Sequence, residues 1–126
     1  MRSLTLTTLS HGFAVCRLDP ATTLPAFVMQ ESFYAVTRTE EELSIVLPEA
    51  SVPAHWTAEK GWRCLKVEGP LDFGMTGILA SLSTTLAEAG ISLFALSTYD
   101  TDYLLVKEEN LERAKVALSY QGHRID

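Results

Sequence analysis

The sequence predicts an α+β fold built on antiparallel strands. Three observations point there. Short segments of the first half alternate apolar and polar residues with a period of two. Two segments of the second half repeat apolar residues at helical spacing. Stop and cap residues then divide the second half into the order β-α-β-β-α-β, the ferredoxin-like arrangement.

The first half reads as strands. Leu4, Leu6 and Thr8 alternate with Thr5 and Thr7, and threonine favours strands. Ser10-His11-Gly12 is expected to turn. Phe13, Val15 and Arg17 then alternate with Ala14, Cys16 and Leu18 until Asp19-Pro20 stops the run. Thr22 to Val28 can form a turn or two of helix, with Pro25 tolerated only in the first turn. Phe33 to Arg38 and Leu43 to Leu47 are strand candidates joined by the hairpin-like Thr39-Glu40-Glu41-Glu42. Pro48 to Gly61 has the residues of a linker, with a short helix expected near Trp56 to Glu59.

The second half is more sharply punctuated. Trp62 to Glu68 alternates as a strand and leads into the turn-rich Gly69-Pro70-Leu71-Asp72-Phe73-Gly74. Thr76 can cap a helix whose apolar face is Ile78, Leu79, Leu82, Leu86 and Ala89. Gly90 stands where a left-handed residue ends a helix. Ile91 to Thr98 and Tyr103 to Lys107 are strands about the polar Tyr99-Asp100-Thr101-Asp102. Asn110 can cap a second helix with Leu111, Ala114, Ala117 and Leu118 on one face. Gly122 stops it, and His123-Arg124-Ile125 suffices for a last strand.

The halves read as unequal copies, residues 1–59 an abbreviated unit and 60–126 a complete one, packed together with antiparallel sheets. The strand Trp62 to Glu68 is wanted by both. Either the units share or exchange a strand, or Ser3 to Leu9 fills the gap.

Composition excludes several function classes. In 126 residues, 47% hydrophobic and 21% charged content is that of a globular chain, which argues against disorder. A net charge of −6, with only 10 Lys and Arg in no run, argues against nucleic acid and against anionic membranes. No apolar stretch nears the ~18 residues of a spanning helix, and the alternating N-terminus is unlike a signal peptide, so a cytoplasmic address is expected. Cys16 and Cys64 belong to no C-x-x-C or Cys/His cluster and read as reduced core thiols.

From Glu68 to Val106 the chain resembles the ACT domain, a ferredoxin-like regulatory module that binds amino acids and other small effectors. The resemblance is carried by the loop Leu71-Asp72-Phe73-Gly74-Met75-Thr76-Gly77 and by Gly90-Ile91-Ser92-Leu93. Phe73 stands where the family often has Pro, and Ser92 where Asn is common. Ser97-Thr98-Tyr99-Asp100-Thr101-Asp102-Tyr103 is similar to tandem-ACT proteins of the CASTOR type, which sense arginine in animals, and to their bacterial relatives.

The residues themselves give this loop a reason to bind a ligand. The first turn of a helix leaves N–H donors unpaired, and with the helix dipole they suit a carboxylate. Gly74 and Gly77 allow close approach to the backbone, Asp72 can take an ammonium, and Ser92, Ser97 and Thr98 can hydrogen-bond the rest. Phe73, Met75 and Thr76 complete the candidate set. The resemblance implies that the ligand sits at the seam between ACT-like units.

Other patterns carry bland readings. Asp72-Phe73-Gly74 spells a kinase triplet, but its companion motifs are missing and the chain is far too short. The glycines are not spaced as a nucleotide loop. Asp100 and Asp102 read as a solvated turn rather than a metal or acid–base pair. His11, His55 and His123 are scattered and read as surface or turn residues, and Trp56 and Trp62 as packing for the linker.

The expectation is therefore a regulatory module with no catalytic residues, metal or cofactor. Its expected partners are a small amino-acid ligand and, in assembly, a second copy as a homodimer. A ligand-free interaction domain is the alternative, and a small enzyme using Asp72, Asp100 or Asp102 the third.

Overall fold

The computed structural model describes residues 3–69 and 77–126. Its strands are β1 (Thr5–Leu18), β2 (Ala35–Arg38), β3 (Leu43–Pro48), β4 (Thr57–Val67), β5 (Leu93–Ser97), β6 (Asp102–Lys107) and β7 (Arg124–Ile125). The helices α1 (Ile78–Glu88) and α2 (Leu111–Tyr120) lie between β4 and β5 and between β6 and β7. The chain forms two compact units, Met1–Ser10 with Arg63–Asp126, and His11–Trp62. The first ten residues thus belong with the C-terminal unit.

In that C-terminal unit the strand order is β7, β1, β4, β6, β5. The elements after Trp62 follow the expected β-α-β-β-α-β. β5 and β6 pair antiparallel from Leu93 with Val106 to Ser97 with Asp102. β7 does not lie beside β4, because the start of β1 stands between them. Arg124 donates its N–H to the Leu4 carbonyl (2.9 Å), Asp126 to Leu6 (2.8 Å) and Thr8 to Asp126 (2.8 Å), while Glu68 donates to the Thr5 carbonyl (2.8 Å). Both edges of this N-terminal strand are therefore bonded.

The core of this unit lies between the strands and the two helices. Leu65 and Val67 of β4 and Leu104 and Val106 of β6 pack with Leu82 and Leu86 of α1 and Leu111, Ala114 and Leu118 of α2. Fully burying one such leucine contributes about 1.5–3 kcal/mol. Gly90 (φ 76°) and Gly122 (φ 95°) end the helices in the left-handed region. That turn lets Ile91 donate to the Leu86 carbonyl (2.9 Å) and His123 to the Leu118 carbonyl (3.2 Å), closing carbonyls the helix leaves open. Arg113 also donates to the Ala89 carbonyl, a cation at the C-terminal end of α1.

In the unit His11–Trp62, β3 pairs antiparallel with β2 (Ala35 with Val46 to Arg38 with Leu43) and with β1 (Phe13 with Pro48 to Leu18 with Leu43). The expected hairpin forms at Thr39–Glu42: Thr39 donates to the Glu42 carbonyl (2.9 Å), and its hydroxyl oxygen accepts from the N–H groups of Glu41 and Glu42. Ala14, Cys16, Val28, Leu43, Ile45 and Leu47 form the core, with Trp56 against it.

Several local expectations are corrected. Ser10-His11-Gly12 is not a turn, because β1 runs through it. Gly12 takes no positive φ there, so its turn chemistry is permitted but unused. Trp56 to Glu59 is not helical: β4 starts at Thr57, and a short 3-10 turn occurs earlier, at Glu49–Ser51. The helical turn expected over Thr22 to Val28 is a 3-10 helix displaced to Ala26–Gln30, after Pro25. Asn110 precedes α2 but makes no capping bond; its Oδ1 accepts from Arg113 instead (2.9 Å). His123 is buried rather than a surface residue. Cys16 and Cys64 are buried and unbonded, on β1 and β4. Burial pushes the Cys64 thiol up to about 12 and raises that of Cys16, which Lys60 partly offsets.

Candidate functional site

β4 alternates its side chains between two faces. Leu65 and Val67 turn toward the helices. Lys66, between them, has the opposite parity. Its Nζ lies 3.7 Å from Glu68 Oε1, and the other Glu68 oxygen accepts the Thr7 hydroxyl (2.6 Å). Glu68 is thus held from β1, and Lys66 from Glu68.

The turn between β5 and β6 is fixed by its own side chains. Thr98 donates its N–H to the Thr101 carbonyl (2.8 Å), and its hydroxyl donates to the same oxygen (3.1 Å). Thr101 returns its N–H to Thr98 Oγ1 (3.2 Å). Ser97 Oγ donates to Asp102 Oδ1 (2.6 Å). Thr101 is buried, and its hydroxyl donates to the Val67 carbonyl, which ties the turn to the end of β4. Asp100, at the tip, is exposed.

These two pieces enclose an open cavity of about 240 Å³ lined by Lys66, Gly69, Asp100 and Thr101. Of the described lining residues, Lys66 carries a positive charge and Asp100 a negative one. Gly69 is the last described residue before the 70–76 stretch.

Asp72, Phe73, Gly74, Met75 and Thr76, five of the eight residues expected to bind ligand, lie outside the described residues. The first helical position is Ile78, with Gly77 as N-cap at φ 80° and no side-chain capping bond. Ser97 and Thr98 stand together in the β5–β6 turn, and their hydroxyl hydrogens are committed within it. Ser92 precedes the other end of β5, about 16 Å from Ser97 at ~3.3 Å per strand residue. The structure therefore does not bring Ser92 together with Ser97 and Thr98. Among the described residues no three His, Cys, Asp or Glu side chains are grouped to hold a metal ion.

Lys66, Gly69, Asp100 and Thr101 were not singled out together by the sequence. Lys66 offered a faint signal, as a cation between two inward-facing apolar residues. Asp100 read as a solvated turn residue, and nothing local connects it to Lys66.

Comparison with known proteins decides the family. The ACT domain family model matches residues 57–119. The chain belongs to the ACT domain family. A second family model, for an N-terminal domain, matches residues 11–55. The cytosolic arginine sensor for mTORC1 subunit 1 of Bos taurus is 33% identical over 90 residues, covering 63% of this chain and 27% of that protein. This ACT chain therefore spans about a quarter of the length of that relative. The crystal structure of Agrobacterium tumefaciens protein Atu0741 superposes with a TM-score of 0.93 at 34% identity, covering 100% of this chain and 94% of that one. Aspartate kinase of Clostridium acetobutylicum gives a TM-score of 0.68 at 11% identity, over 88% of this chain and 33% of that one, a likeness of fold alone. No helix among the described residues is long and apolar enough to cross a membrane.

Proposed function

We propose that this chain is a non-catalytic regulatory ACT module that binds a free amino acid and passes the bound state to a partner or to a second copy of itself. The observation that carries this reading is the ACT family match over 57–119. The bovine relative is named an arginine sensor, which supports amino acids as the ligand class to test first. In this reading Asp72, Phe73, Gly74, Met75 and Thr76 enclose the ligand where the loop meets a second ACT unit, and Ser97 and Thr98 are the further polar residues of the set, while Ser92, at the other end of β5, stands apart from them. Residues 1–59 act as an abbreviated ACT-like unit and 60–126 as a complete ACT domain, with the start of the first strand of the former exchanged into the latter. A cytoplasmic address belongs to the same reading.

A ligand-free interaction domain is the second reading. It is favoured by Val116 and Tyr120, four residues apart on one face of α2, which are 69% and 88% exposed.

Thermal melting with each of the twenty standard amino acids separates the two. An amino acid at about 100 times its dissociation constant adds about 2.7 kcal/mol to stability. A rise in melting temperature with one or a few amino acids supports the sensor. No rise with any of them favours the interaction domain.

A further inference from the structure

We infer that the cavity lined by Lys66, Gly69, Asp100 and Thr101 is a binding site for a small zwitterion, in which Lys66 takes the carboxylate and Asp100 the ammonium of a free amino acid. The inference rests on the amino-acid reading above but assigns the charge contacts to residues outside the Asp72–Thr76 loop.

The argument begins with charge. Lys66 and Asp100 come from different elements, β4 and the β5–β6 turn, and line one cavity. The ammonium of Lys66 lies 3.7 Å from Glu68. At that distance and partial exposure the pair is weak, so a ligand carboxylate can share the ammonium without breaking a strong bond. Asp100 is exposed and lines the same cavity. A ligand with only one charge would satisfy one wall and leave the other to solvent, whereas a zwitterion satisfies both.

Rigidity and size support the same ligand. The Thr101 hydroxyl gives its hydrogen to the Val67 carbonyl, so its remaining lone pairs can only accept, which suits an ammonium beside Asp100. The same bond holds the two walls in place before any ligand arrives, lowering the ordering cost of binding. At about 240 Å³ the open cavity has room for roughly one amino acid, below the ~300–1,000 Å³ of sites for drug-sized ligands.

The test maps ligand groups onto residues. The full chain and its Lys66→Gln, Asp100→Asn and Asp72→Ala variants are titrated calorimetrically with the twenty standard amino acids. Each amino acid that binds is compared with its decarboxylated amine and its des-amino acid. The parent should bind both single-charge analogues at least tenfold more weakly than the amino acid. Lys66→Gln should lose at least tenfold for the amino acid and bind the amine as it binds the amino acid. Asp100→Asn should do the same for the des-amino acid. Circular dichroism melts within 2 °C of the parent would exclude misfolding as the cause. If the parent binds an amino acid and both pocket variants stay within twofold of it while Asp72→Ala loses binding, the pocket assignment is overturned and the sensor reading stands. If the parent binds none of the twenty, both are overturned.

Discussion

The backbone N–H of Leu4 donates to Nδ1 of His123 across 3.1 Å, in a buried setting. This bond joins the strand β1 inserts into the C-terminal unit to the segment leading into β7. It fixes the tautomer, since Nδ1 must accept and the ring proton must sit on Nε2. Protonation would place two donors against each other.

Stability should therefore fall in mild acid. Desolvation lowers the pKa of His123 below 6.5, so in that range the unfolded chain binds more protons than the folded one. The contribution is complete above about pH 6.5 and is lost as pH falls through the lowered folded value. His123→Asn, which keeps an acceptor near the Nδ1 position, should flatten this loss between pH 7 and 5 in urea titrations. His123→Ala leaves the Leu4 N–H unsatisfied and should cost about 1–3 kcal/mol at pH 7. Equal pH slopes for the parent and His123→Asn would contradict this role.

Gly90→Ala should destabilise through the backbone rather than through crowding. A Cβ at Gly90 would meet only the flexible end of Arg113 at 3.8 Å, whereas φ of 76° is strained for any L side chain. The expected loss is about 1–2 kcal/mol, read as a lower urea midpoint at unchanged slope. No change would mean that the α1 terminus relaxes.

Much of the fold was legible because it is local. β5, β6, α1 and α2 each repeat at their own period and end on glycine or a polar turn. The sequence divides β1 into two strands at Ser10-His11-Gly12 and starts β4 only at Trp62, because Gly12 and Gly61 carry breaker chemistry, yet both glycines lie inside strands. Gly61 even adopts φ of 81° within β4, its N–H donating to Glu49 Oε1 (2.7 Å), and Glu49 lies outside the strand. The insertion of β1 between β7 and β4 joins the two ends of the chain, and such pairing leaves no local pattern. The cavity is hidden for the same reason: the pairing of β4 with β6 and the Thr101–Val67 bond, both between segments distant in sequence, bring the Asp100 turn to the end of the Lys66 strand.

Both thiols should resist modification in the folded protein. With its pKa pushed up to about 12, Cys64 stays protonated through neutral pH, and burial blocks access as well. A bulky disulfide reagent at pH 8 should label neither cysteine within minutes and both in 6 M guanidinium. Alkaline pH should destabilise the fold. The contribution of a neutral Cys64 is intact below 9.0, where the unfolded thiol ionises, and is lost as pH rises toward 12. Rapid labelling of either thiol in the native protein would contradict their placement in the cores.

Leu86→Ala removes a fully buried side chain between α1 and the strands, and should cost about 2–5 kcal/mol in chemical denaturation. A loss under 1 kcal/mol would mean that the neighbouring leucines close the space.

The most direct test of the central claim, that the ACT unit takes an amino acid at the end of β4, is amide hydrogen exchange. It is measured with and without whichever of the twenty amino acids raises the melting temperature. The account predicts slowed exchange concentrated at Gly69, at Gly77 and the first turn of α1, and at Thr98 to Thr101. Protection confined to His11–Trp62, or no amino acid that raises the melting temperature at all, would contradict it.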